Sequence, residues 1–303
     1  MSASIHFSIR YDGPALASHQ MDIQELAPAL IALSNMLEQA GKDAFPNAPE
    51  VRVEVKGNFK GGSFGVDLIA VQSIGEQLIS MLSGPTAGAA ANLLGILSGL
   101  GLLGGGGLIG LMRWLAGRKP TAIREEDGKT IFEMVIGGTL FTFTTDLITA
   151  RLYQSRLVRQ SLWKVIKPLE RDGIDRFMCG RDGVAEVTIL EAETDAFTFV
   201  VGEADIVSTV LNEAVLLQIE SAVFKEGNKW RFTDGGPSFF AEIADLDFLA
   251  RIESGVERFG KGDVLIADLR RTQSVTDTGL KLDAILERVH EHRSPLQAGL
   301  FTP

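Results

Sequence analysis

The chain has 303 residues, 45% of them hydrophobic, and a net charge of −10, enough for about two domains that each bury a core without a metal or disulfide staple. Its one cysteine, Cys179, excludes an intramolecular disulfide; the start MSASIHFSIRYDG lacks the basic-then-apolar order of a secretory leader, so a reducing cytoplasm is the expected compartment. From Arg181 onward 12 Lys/Arg face 22 Asp/Glu, whereas the first 180 residues balance at 17 against 17, so a phosphate-binding, nucleic-acid-directed surface is not expected and the acidic C-terminal region suits a protein partner instead.

Ile5, Phe7 and Ile9 alternate with polar neighbours up to Asp12-Gly13-Pro14, which predicts a strand closed by a turn. Asp22 is placed to cap a helix, with Glu25 three residues on as in a capping box, and Leu26, Leu30, Leu33 and Leu37 recur at helical spacing until Gly41. Val51, Val53 and Val55 alternate with charged residues, and 59–64 turn the chain into a second strand over 66–70, giving a hairpin. Gly61-Gly62-Ser63 in that turn lacks the spacing of a phosphate loop and precedes a strand, so it reads as a turn.

From Gln77 through Met112 no residue carries a formal charge, and 93–112 holds eleven Leu/Ile/Met, eight Gly and one Ser. A run of that length meets the rule of about 18 apolar residues for a membrane span. Pro85 suits the first turn of a helix reaching Leu103, the glycines from Gly104 to Gly107 predict a break, and a second short helix follows over 108–118. On the first helix Ala87, Ala91, Gly95 and Gly99 form a ridge of small residues that lets another helix approach closely. Trp114 with Arg113, Arg118 and Lys119 resembles an aromatic and basic anchor at a membrane interface. The same small residues equally suit a helical hairpin buried within a soluble protein or between subunits.

Residues 130–144 give two short strands around Gly137-Gly138, and Asp146 is placed to cap a long amphipathic helix to Arg171, with Leu152, Leu157, Leu162 and Ile166 set against Arg151, Arg156, Arg159, Lys164 and Lys167. Its basic side is either a solvated face or a contact with anionic lipid. Farther on, 216–223, 228–233, 238–243, 263–273 and 280–290 are strand-like, and Asp245 opens a short helix through Ile252; five short strands with one helical insert predict a small barrel. His290 and His292 share a strand face without an evident third ligand, Cys179 lacks a sequence-near base, and the cap explains Asp245 beside Asp247 without a cation. No catalytic, cofactor-binding or metal-binding residue is therefore assigned, and nothing in the motifs specifies an enzyme.

The expected fold is α+β: an N-terminal strand-helix-hairpin domain with the Gly-rich apolar helical segment, then a small five-stranded β-barrel. The expected boundaries are an N-terminal α+β region over 1–84, the membrane-capable apolar hairpin over 85–119, an α+β region with the long amphipathic helix over 120–205 that completes the N-terminal domain, and the barrel over 206–303. The stretches 22–30, 60–67 and 104–119, together with Lys229-Trp230-Arg231-Phe232 and 259–265, resemble an uncharacterised family of bacterial and prophage-associated proteins across nearly the whole chain. That resemblance implies this architecture and a bacterial or mobile-element setting, and carries no catalytic residues. The expected function is a homo-oligomeric, membrane-acting protein at or in the inner face of the cell membrane, such as a pore-forming effector of phage defence. The alternative is a soluble homo-oligomeric assembly or binding protein with the apolar segment between subunits.

Overall fold

Alternation at the start of the chain becomes strand β1 (Ser2–Asp12), whose Phe7, Ile9 and Tyr11 are buried. The computed structural model describes all residues except 1, 19, 57–63, 74–84, 201–204, 224–228, 261, 277–278 and 295–303. The protein is mixed α+β and divides into two compact units, Met1–Thr121 with Glu125–Val201, and Ala122–Arg124 with Gly202–Pro303.

In the first unit, helix α1 (Ile23–Ala44) is capped by Asp22, whose carboxylate accepts the Gln24 N–H at 2.9 Å. The capping box does not form, because Glu25 is drawn to Arg171 at 2.8 Å. Leu33, Met36, Leu37 and Ala40 are buried at three- and four-residue spacing, which puts one face of the helix into the core. Strands β2 (Val51–Lys56) and β3 (Phe64–Ser73) pair antiparallel as the expected hairpin; the turn at Gly61-Gly62-Ser63 lies outside the described residues.

The apolar run folds as α2 (Pro85–Leu100) and α3 (Gly107–Leu115). Helix α2 stops three residues before the expected Leu103. Gly101, at φ +82°, starts a left-handed exit in which its N–H reaches Ser98 O and the Leu102 N–H reaches Leu97 O, both at 2.9 Å, the paired bonds of a Schellman stop. Gly107 has φ +53° and lies against the Ser98 and Gly99 carbonyls, leaving no room for a Cβ.

Strand β4 (Ala122–Glu126), which the periodicity did not suggest, precedes β5 (Lys129–Ile136) and β6 (Thr139–Thr145) in a three-stranded sheet of order β4-β5-β6. The single helix expected from Asp146 to Arg171 is a correction: α4 (Leu147–Gln154) and α5 (Arg156–Ile166) are separated at Ser155, which is extended at φ −74°, ψ 107°. The break re-aims the chain, so that α4 packs among α1, α2 and α3 while α5 packs chiefly on α1. Strands β7 (Arg176–Arg181) and β8 (Val184–Leu190) were also unforeseen, and they complete an antiparallel sheet of order β2-β3-β1-β7-β8. Tyr11 joins this sheet to α5 by donating its hydroxyl to Val165 O at 2.6 Å.

The second unit contains β9 (Asp205–Ser221), β10 (Trp230–Thr233), β11 (Phe239–Ile243), helix α6 (Leu246–Glu253), β12 (Val264–Thr276) and β13 (Gly279–Arg293). Their pairings run β10-β11-β13-β12-β9 and return to β10, a closed ring of five strands. Only β11 and β13 pair in parallel, and α6 lies between them in sequence. Leu217, Phe232, Leu265, Leu269 and Leu286 fill the interior, with Phe248 of α6 fully buried against them. The sequence placed all five strands and the helix, but β9 and β12 extend farther than their hydropathy suggested.

Candidate functional site

The polar groups most suggestive of chemistry are built into the structure of the second unit. His292 on β13 is held at both ring nitrogens, Nδ1 at 2.7 Å from Glu257 Oε2 and Nε2 at 3.0 Å from Asp263 Oδ2. The ring of Phe259 stacks on the imidazole at 4.8 Å, and the side chains of His292 and Asp263 are 10% and 2% exposed. The hydrogen bond from His292 holds the Glu257 carboxyl below the usual carboxylate range. A base with both nitrogens engaged and no access for a substrate ties the segment between α6 and β12 to β13. His290, one turn of alternation earlier, meets Asp268 at 2.7 Å on the surface and likewise lowers that carboxyl. The two histidines thus separate onto different carboxylates, and among the described residues no group of three His, Cys, Asp or Glu side chains is placed to hold a metal ion.

Cys179 lies within β7 at 1% exposure, and burial pushes its thiol up to about 12. A thiol that stays protonated is a poor nucleophile, so its role is packing. Asp245 caps α6 by accepting the Phe248 N–H at 2.9 Å and also accepts the Val289 N–H at 2.8 Å; Asp247 is exposed on the helix.

The larger apolar side chains of the run pack mostly inside the first unit. Leu93, Ile96, Leu97, Leu100, Leu102 and Leu103 are all buried, at 4% exposure or less. Ala87 and Ala91 lie on α2, with Ala91 exposed. Gly95 and Gly99 stand close to neighbouring elements: a Cβ on Gly99 would stand 2.7 Å from Ile148 Cγ2 of α4, and one on Gly95 3.3 Å from Phe45 Cζ at the end of α1. Gly104 sits in the turn with φ +78° and open space around it, and Gly107 starts α3. Trp114 packs on Phe143 at 5.5 Å. Arg113 turns inward, pairing with Glu193 at 2.8 Å and donating to the Thr188 carbonyl, whereas Arg118 and Lys119 are exposed. Among the described residues no helix is long and apolar enough to cross a membrane.

A different surface is left unsatisfied. Strand β6 reads Thr-Leu-Phe-Thr-Phe-Thr-Thr, without a charge, and among the described residues pairs on one side only, with β5. Across the hairpin Val135 faces Leu140 and Met134 faces Phe141. Val135, Ile136, Leu140 and Phe141 are 51%, 38%, 54% and 44% exposed. A long uncharged edge with β-branched and aromatic side chains is a template for another strand, and soluble proteins usually blunt such edges with Lys, Pro or a bulge. Sequence reasoning found the hairpin but read it as structural; the signal available was the absence of charge over seven strand residues.

No protein-family model, curated protein sequence or solved structure matches the chain.

Proposed function

We propose that the protein is a subunit of a homo-oligomeric assembly whose copies join by antiparallel pairing of their β6 edges. The observation that carries this reading is the exposed, uncharged edge Thr139–Thr145 with exposed apolar side chains on both faces of its hairpin, Val135 and Leu140 on one and Ile136 and Phe141 on the other. The occupant is a second copy because the strand is nearly its own mirror in sequence. About Thr142, Phe141 stands against Phe143 and Thr139 against Thr145, leaving only Leu140 against Thr144 unlike. A twofold interface requires such self-complementarity, and here it sets aromatic against aromatic with no like charges opposed. Phe143 already packs on Trp114, so pairing would bring the Trp114 of each copy to a shared aromatic cluster.

The resemblance to prophage-associated proteins fits a bacterial or mobile-element assembly, and the acidic second unit suits a further protein partner. The membrane-acting alternative requires α2 and α3 to leave the core, since Leu97, Leu100, Leu108 and Leu111 now have protein on every side. Release of dye from anionic liposomes by the folded protein would favour that alternative over the present reading.

Light scattering on the eluting protein tests the proposal. The expected mass is twice the 32.7 kDa of one chain, falling to a single chain in Thr142→Lys, which opposes two ammonium groups at the twofold. A monomeric wild-type protein, or an oligomer indifferent to Thr142→Lys, would contradict it.

A further inference from the structure

On the first unit, a groove of about 480 Å³ runs between the start of α1 and the end of α5 with the following 3-10 turn Lys167–Glu170. Its size falls in the range of small-molecule sites, roughly 300–1,000 Å³. Local sequence explains why it is there. Pro28 stands inside α1, where it has no N–H for the Gln24 carbonyl and its ring crowds the preceding turn. Pro168 opens the opposite wall by ending α5 in the 3-10 turn. The half-buried indole of Trp163 lines the groove together with both prolines.

The charges over this apolar floor are unequal. Glu25 and Arg171 neutralise one another at 2.8 Å and close one end. Lys167 holds its ammonium 5.2 Å from the Trp163 ring centroid, and Lys164 is its neighbour on the rim. Among the described residues neither lysine has a carboxylate within ion-pair distance, and Glu170 is the one remaining acidic group in the lining. Two ammonium groups without a carboxylate partner thus stand beside a half-buried indole, the exposed Pro28 and the buried Pro168, in a chain of net charge −10.

We infer that this groove binds a small planar aromatic anion, with its ring against Trp163 and the two prolines and its carboxylate, sulfonate or phosphate between Lys164 and Lys167. The aromatic part leaves water against an apolar floor, while the anion meets two ammonium groups that have no internal carboxylate partner. The carbonyl of Gln24, deprived of its i+4 donor by Pro28, adds an acceptor at the other end for a ligand N–H or O–H. Arg171 stays with Glu25 and acts as a wall. This inference is independent of pairing at β6, which lies on other elements.

Anilinonaphthalene sulfonate is a suitable probe because it combines fused and pendant rings with one anion. Titrated into the full chain, it is expected to bind saturably at one site per chain. Its affinity is expected to fall about tenfold or more in Lys164→Glu/Lys167→Glu, and similarly in Trp163→Ala. Both lysines are exposed, so the double variant should melt as the wild type does and serves as the control if Trp163→Ala unfolds. Phenylnaphthylamine, which has the rings without the sulfonate, should bind more weakly to the wild type and be indifferent to the lysine changes. Unchanged dye affinity in the double variant, or a signal abolished by Phe141→Ser at β6 instead, would overturn the inference.

Discussion

Two uncharged stretches of the first unit meet opposite fates. The run from α2 to α3 is by far the more apolar, and its side chains from Leu93 to Leu115 are mostly sealed against α4, Phe45 and one another. Strand β6 is only half apolar, yet it keeps Leu140 and Phe141 in water and one edge unpaired. Hydropathy reports that a segment must leave water and not what it meets when it does. A long run broken by glycines can fold back and saturate itself inside one chain. A seven-residue edge strand cannot, because the backbone donors and acceptors it does not share with β5 point outward, where they meet water until another strand takes its place.

The comparison can be broken most severely at the buried stretch. Leu97→Ala should lower the unfolding free energy by about 2–5 kcal/mol in urea titration, the cost of deleting a fully enclosed leucine. A side chain made for lipid or for a neighbouring subunit would instead leave the isolated chain unchanged. Gly99→Ala tests the same packing from the other side. The added methyl would press on Ile148 and Leu152, and a loss of about 1–3 kcal/mol is expected by thermal or urea unfolding.

At the exposed stretch the signs reverse. Leu140→Ser/Phe141→Ser should shift the stability of the single chain by only about 0.5 kcal/mol per site, while abolishing self-association by light scattering. If these changes unfold the chain, the surface is a core that the present account has misread.

The smallest effect belongs to the histidine of the second unit. Glu257 is held below its ordinary value by the His292 hydrogen bond, so the folded state binds its proton less readily than the unfolded state. The corresponding stability is present above the ordinary carboxylate range and is lost as pH falls through the lowered folded value. Urea midpoints measured at neutral pH and again on the acid side of that range should therefore decline, and Glu257→Gln should show a shallower decline. Parallel declines in the two proteins would place the acid sensitivity elsewhere.

Much of this architecture is legible in the sequence because its signals are local. Asp22, Asp146 and Asp245 each cap a helix as their positions imply, accepting from Gln24, Thr149 and Phe248, and the five strands of the second unit follow from alternation between turns. What was hidden depends on distant partners. Strands β7 and β8 are short, each burying only two alternate apolar side chains, Phe177 with Cys179 and Val187 with Ile189, and it is the pairing of β7 with β1 and of β8 with β7 that makes them part of the sheet. The break at Ser155 is invisible to periodicity, since both halves keep an apolar face and differ only in what they meet, α4 reaching α2 and α3 as well as α1 and α5 chiefly α1. The binding surfaces were harder still. Trp163 and Pro28 are more than a hundred positions apart, and the lysines above them look like any solvated helix face until the groove is assembled.

Hydrogen exchange at the amides of β6 tests the pairing most directly. Those not bonded to β5 should exchange freely in dilute protein and become protected as concentration rises, with protection lost in Thr142→Lys. Outward amides of Thr139–Thr145 that exchange at the same rate at every concentration, while the protein remains oligomeric, would contradict a β6-to-β6 interface.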